Sequence, residues 1–175
     1  MIEEIHKYIY RYRNPKFKEE AKHLIDLIYK VPITPMKDPY QTISHTDWEI
    51  TKNMKREYLD YFVKNNSPDF AKSFCEFTHY SKLILSNIWF QVYEKGDFQA
   101  IHTHPTCNFS NVFYLQLENT QETIFMDGSN NEKIKVLIET GDILTFPSFM
   151  RHGSLSNKNN KSKIVLAFNT DVYIV

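Results

Sequence analysis

The stretch Phe98-Gln99-Ala100-Ile101-His102-Thr103-His104-Pro105 sets two histidines two apart in a run of strand-like composition that a proline closes. Residues i and i+2 of a strand leave the same face. Both imidazoles therefore project together, one pleat apart, as two ligands of one cation must. Pro105 ends the run and leaves the pair near the strand's mouth, within reach of solvent. His152 follows Pro147-Ser148-Phe149-Met150-Arg151 at the start of another short strand, and an antiparallel barrel would bring it round to face the pair. His6, His23, His45 and His79 have no such spacing and read as ordinary surface or core residues.

Around this stretch the chain from about residue 80 reads as short strands divided by polar turns: Leu83–Tyr93, Phe98–Thr103, Val112–Leu117, Thr123–Met126, Ile134–Ile138, Ile143–Phe146, Gly153–Leu155, Ile164–Phe168 and Val172–Val175. Asp127-Gly128 and Gly141-Asp142 are turn signals, and 156–161 is a solvated loop. So many strands in so short a length predict a sandwich or barrel. Before residue 80 the apolar spacing is helical. Phe17, Ala21, Leu24, Ile25 and Ile28 form one stripe, and Trp48, Met54, Tyr58, Leu59 and Phe62 a second. Thr46 with Glu49 matches a capping box for the second helix, and Ser67-Pro68 opens a third carrying Phe70, Phe74 and Cys75. Pro32, Pro35 and Pro39 make 31–45 an extended surface segment. Helices first and strands second, without βαβ alternation, predict an α+β, mainly β chain: a double-sheet jelly roll (81–175) with N-terminal helices (1–80) packed on it, as a single domain over 1–175.

Composition bounds what such a protein can do. At 175 residues, 42% hydrophobic, with 26 aromatic side chains, the chain can bury a core without disulfide staples. Lysine plus arginine and aspartate plus glutamate number 21 each, and the halves on either side of residue 80 carry net charges of only +1 and −1, so no basic block exists to bind nucleic acid. No apolar run reaches the roughly 20 residues of a membrane span. Two cysteines, Cys75 and Cys107, and a charged N-terminus predict a reducing, cytoplasmic setting. The apolar end Val172-Tyr173-Ile174-Val175, if at a sheet edge, offers pairing with a second copy as a homodimer.

From Trp89 onward the chain resembles a small bacterial and phage family of 2-oxoglutarate and iron(II)-dependent oxygenases. The matching segments, in order, are Trp89 with Gly96-Asp97, His102-Thr103-His104-Pro105, Ser110–Leu115, Gly141–Ser148, His152 and Lys163–Asn169. The resemblance implies a double-stranded β-helix (a cupin-like jelly roll), iron(II) held by His102, His104 and His152, 2-oxoglutarate and O₂ as co-substrates, and hydroxylation of an unidentified small-molecule or peptide substrate with release of succinate and CO₂. No catalytic residue beyond the metal ligands is implied. The wider pattern puts a basic residue about ten positions after the distal histidine to pair with the far carboxylate of 2-oxoglutarate, and Lys163 stands there. By strand alternation it points inward with Val165 and Ala167, whereas Arg151, beside His152, faces the other way. Tyr114 and Asn108 are candidate hydrogen-bond donors to the co-substrate. Trp89 and Phe149 either line an apolar mouth or pack.

Two departures bear on mechanism. His104 stands where the superfamily has a carboxylate, which leaves a formal +2 on the metal rather than +1. Val165 stands where many relatives have a serine. The spacing also suits a cupin-type dioxygenase or isomerase that needs no keto acid: Gly96, five residues, then His102-Thr103-His104; Gly141, five residues, Pro147, then His152. The glutamate expected after the first pair is missing there. A third reading is a non-catalytic metal site closed by Cys107.

Overall fold

The computed structural model describes residues 1–49, 54–118, 123–130 and 132–174. Two antiparallel sheets and three helices make up these residues, a mainly β architecture. The helices are α1 (Phe17–Ile28), α2 (Glu57–Asn65) and α3 (Ser67–Thr78). The strands are β1 (Ile2–His6), β2 (Ile9–Arg13), β3 (Met36–Asp38), β4 (Gln41–Ile43), β5 (His45–Thr46), β6 (Lys82–Tyr93), β7 (Phe98–His102), β8 (Phe109–Gln116), β9 (Thr123–Met126), β10 (Lys133–Ile134), β11 (Asp142–Pro147), β12 (His152–Ser154) and β13 (Lys163–Tyr173). One sheet has the order β1-β2-β11-β8-β13-β6-β5 and the other β10-β9-β12-β7-β4-β3.

β13 shows how the layers divide. Ile164, Leu166 and Phe168 enter a cluster with Leu24, Phe62 and Phe70 of the three helices, while Val165 enters a second cluster with Tyr114, Phe125 and Phe146 between the sheets. Strand alternation sends successive side chains to opposite layers, and both layers are apolar, so the strand reads as a nearly unbroken buried run. The large sheet is therefore covered by helices on one face and by the small sheet on the other.

α1 and α3 fall where the apolar stripes put them, with Glu19 and Glu20 in the first turn of α1 and Pro68 in the first turn of α3. Three expectations are corrected. The first eighty residues supply five strands as well as helices, beginning with the β1–β2 hairpin, whose turn residue Tyr8 has φ 65°. α2 starts at Glu57, so Trp48 and Met54 lie outside it; residues 50–53 of the expected helix lie outside the described residues, and Thr46, the expected cap, belongs to β5. Its hydroxyl donates to Phe90 O at 2.7 Å instead of capping a helix, a tertiary contact overriding a local signal. Of the separate strand expected at Val172–Val175, Val172 and Tyr173 are the end of β13, paired there with Leu83 and Lys82 of β6, while residue 175 lies outside the described residues. Among the described residues no helix is long and apolar enough to cross a membrane.

Candidate metal centre

β7 and β12 are neighbours in the small sheet, and their register sets His152 directly opposite His102. His104 lies two residues past His102, and its backbone N–H donates to Ser148 O at 2.9 Å, which fastens the end of the β7 run to the chain leading into β12. The three rings consequently meet, with centroid separations of 4.3 Å for His102–His152 and 5.1 Å for each of the other two pairs. One nitrogen from each ring lies within 4.8 Å of the others. Gly153 makes this approach possible: a Cβ there would sit 2.8 Å from Gln99 O and 3.0 Å from Ala100 O.

The second nitrogen of each ring is already engaged. Nδ1 of His102 meets Ala100 O, Nδ1 of His152 meets Met150 O and Nδ1 of His104 meets Asn169 Oδ1, each at 2.9 Å. Since all three partners are acceptors, each Nδ1 carries the proton and each Nε2 keeps its lone pair. The Nε2 atoms of His102 and His104 are 3.1 Å apart, close to the roughly 3.0 Å edge spanned by two metal–nitrogen bonds of about 2.1 Å at a right angle. Two lone pairs at that distance repel unless a cation lies between them. Burial pushes all three pKa values down, that of His152 to about 3 with the neighbouring His102 adding to the effect, so the imidazoles are neutral and able to ligate. Three neutral nitrogens on one side of an open site fit a divalent first-row metal such as iron(II). Cys107, the fourth ligand that a closed structural site would draw on, is not part of the group.

The histidines line a cavity of about 590 Å³ between the sheets. Lys163, Val165, Ala167 and Asn169 line it from β13, on the inward side that alternation predicts. Lys163 is 2% exposed. Its ammonium donates to Ser154 Oγ at 3.1 Å and lies 5.3 Å and 5.7 Å from the ring centres of Tyr93 and Tyr114, contacts that offset part of its desolvation. Tyr114 is buried and donates to Thr123 Oγ1 at 2.6 Å, and the Tyr93 hydroxyl is shared between Gln91 Oε1 and Gln99 Oε1. Lys163, Ser154, Tyr93 and Thr123 line the cavity, whereas Tyr114, a candidate co-substrate donor, is not in its lining and reaches it only through Thr123. Ser154 is on β12 two residues after His152, about 7 Å along the strand.

Other candidates fall elsewhere. Asn108 is exposed and outside the cavity lining; its Oδ1 accepts the Val172 N–H at 3.0 Å, which ties a loop to β13. Arg151 is exposed and Phe149 is 74% exposed, and neither lines the cavity. Trp89 does line it, stacked on His104 with centroids 5.8 Å apart and planes 22° apart. Asn169, Ser154 and Thr123 were not singled out by sequence reasoning. Asn169 could have been reached by extending the alternation of β13 from Lys163; the other two depend on cross-strand register.

No family profile matches the sequence, and no curated protein is similar to it in sequence. Solved structures do match its fold. A 2OG-Fe(II) oxygenase family oxidoreductase from Burkholderia pseudomallei superposes with a TM-score of 0.77 at 11% identity, over 95% of this chain and 86% of that one. A prolyl-4-hydroxylase from Pseudomonas putida gives 0.61 at 14% identity over 94% and 92% of the two chains. The viral collagen prolyl hydroxylase of Paramecium Bursaria Chlorella virus-1, solved as its 2OG complex, gives 0.58 at 16% identity over 95% and 97%. The chain has the fold of the solved 2OG-Fe(II) oxygenases.

Proposed function

We propose that this protein is a non-haem iron(II), 2-oxoglutarate-dependent oxygenase that hydroxylates a small-molecule or peptide substrate, with its two sheets acting as a double-stranded β-helix around the site. The observation that carries the reading is the union, in one cavity of this fold, of three converging Nε2 lone pairs with a buried lysine bonded to Ser154, two strand positions from His152. Iron(II), when bound, supplies the activation of O₂, with 2-oxoglutarate as the electron donor, so that substrate C–H, O₂ and 2-oxoglutarate yield the alcohol, succinate and CO₂.

The chain's own residues do the rest. His102, His104 and His152 would hold the metal through their Nε2 atoms, and as only three ligands they would leave positions for the keto acid and O₂. Asn169 and the Ala100 and Met150 carbonyls fix the three rings in the ligating tautomer. Lys163, supported by Ser154, receives the far carboxylate of 2-oxoglutarate, and Thr123, which accepts from the Tyr114 hydroxyl, supplies a hydroxyl beside it. Phe146 packs edge-on against His152 at 4.6 Å and, with Val165, keeps water from the wall behind the metal.

The all-imidazole ligand set favours a second reading, a cupin-type metal dioxygenase without keto acid, and one experiment separates the two. Protein titrated anaerobically with Fe(II) and then 2-oxoglutarate should develop the visible charge-transfer band of a chelated keto acid. Lys163→Met should weaken 2-oxoglutarate about ten- to a hundredfold, the worth of a lost charge-assisted hydrogen bond, while Arg151→Ala leaves it unchanged. Iron binding without a band would favour the cupin reading, and failure to bind any divalent metal would sink both.

A further inference from the structure

We infer that the outer part of the cavity is a subsite for an uncharged substrate bearing a flat ring, held against the Trp48 indole; this rests on the reading of the inner part as the metal and 2-oxoglutarate site. Trp48 lines the cavity yet is 54% exposed. It meets Trp89 edge to face, with centroids 4.7 Å apart and planes at 72°, and Trp89 in turn lies flat on His104. Two aromatic contacts therefore connect an open indole to a metal-ligating ring.

An indole left half in water is placed there by structure rather than by leftover chain. Its backbone N–H donates to Thr46 Oγ1 at 3.2 Å, and the same hydroxyl is bound to Phe90 O of β6. The preceding residue, Asp47, is 1% exposed. Its carboxylate accepts the Phe90 N–H at 2.9 Å, the Tyr58 hydroxyl and an Arg56 N–H at 3.0 Å. A buried carboxylate with three donors, two of them from the start of α2, is a costly anchor to assemble, and the residue it positions is Trp48.

The rest of the cavity lining selects the ligand. Tyr40, 73% exposed, and Met36 extend the apolar wall, and Gln41, Asn87 and Thr106 add neutral polar groups. Among the described residues lining the cavity, the only lysine, arginine, aspartate or glutamate is Lys163, and the far carboxylate of 2-oxoglutarate takes that cation. Away from the metal, a charged substrate group would lose hydration here without gaining a counter-ion from the described residues that line the cavity. A ring gains dispersion and quadrupole contact from a flat indole that an open alkyl chain of equal size does not.

The test uses Zn(II)-loaded protein saturated with 2-oxoglutarate and four probes, phenylacetamide, phenylacetate, 2-phenylethylamine and hexanamide, with binding read by ligand-observed NMR. Phenylacetamide should bind about tenfold or more tightly than the two charged analogues and than hexanamide, and Trp48→Ala should remove about tenfold of that affinity while Trp48→Phe restores part of it. Equal binding of a charged probe or of hexanamide, or an unaltered affinity in Trp48→Ala, would overturn the subsite. The 2-oxoglutarate affinity of the wild type, measured on the same samples, separates the two levels: its absence refutes the oxygenase reading, whereas its presence with no ring selectivity refutes the subsite alone.

Discussion

Asn169 shows how much of a metal centre lies outside its ligands. An amide oxygen accepting from His104 Nδ1 fixes both the tautomer and the direction of the ring. Asn169→Leu removes that acceptor at similar volume, and Co(II) titration by calorimetry should show metal affinity reduced about ten- to a hundredfold with all three imidazoles present. His102 and His104 were legible in the sequence because a two-residue repeat is itself a geometric statement. Lys163 was legible for the same reason, once its strand was recognised. Asn108 was misplaced because an asparagine near a ligand can serve the loop as readily as the site, and only the hydrogen bond to Val172 decides between them.

At the scale of elements, the decisive contact is β12 against β7. The backbone oxygens of Gln99 and Ala100 occupy the space a Cβ on Gly153 would need, and backbone cannot swing aside as a flexible side chain can. Gly153→Ala should push β12 away, carrying His152 and Ser154 with it, and lower Co(II) affinity by about tenfold or more, since a ligand displaced by a fraction of an ångström no longer shares the ion. Gly128→Ala is the matched control, with nothing within 4 Å of the added atom, and should leave affinity unchanged. The same scale holds the main misreading. Trp48, Met54, Tyr58, Leu59 and Phe62 recur at helical spacing, but only the last three lie on α2, because Thr46 and Asp47 bond to β6 more profitably than to a helix start.

Across the whole molecule, stability and chemistry lie on opposite faces of one sheet. Phe62 packs on Phe168 with centroids 5.2 Å apart, on the helical side. Phe62→Ala should cost about 3–5 kcal/mol in urea unfolding while the folded protein keeps its metal affinity within about twofold. Acid should weaken the fold through His45, which is 4% exposed beside Phe90. Burial depresses its pKa, opposed by the Ile28 and Val31 carbonyls and by Asp47. The unfolded chain then binds a proton near the ordinary value of 6.5 that the folded chain refuses, so stability present above that pH is lost as pH falls below it. Urea midpoints at pH 7.5 and 5.5 should fall further for the wild type than for His45→Phe.

The sequence by itself determined the strand-rich second half, two of the three helices, the histidine pair and the inward face of β13, because each is a periodicity that a single segment expresses alone. The placement of His152 opposite His102, the Asn169 contact, the β1–β2 hairpin and the setting of Trp48 were decided only by the tertiary structure. They depend on register between segments far apart in the chain, and register is settled when whole faces are buried together rather than by any one residue's preference.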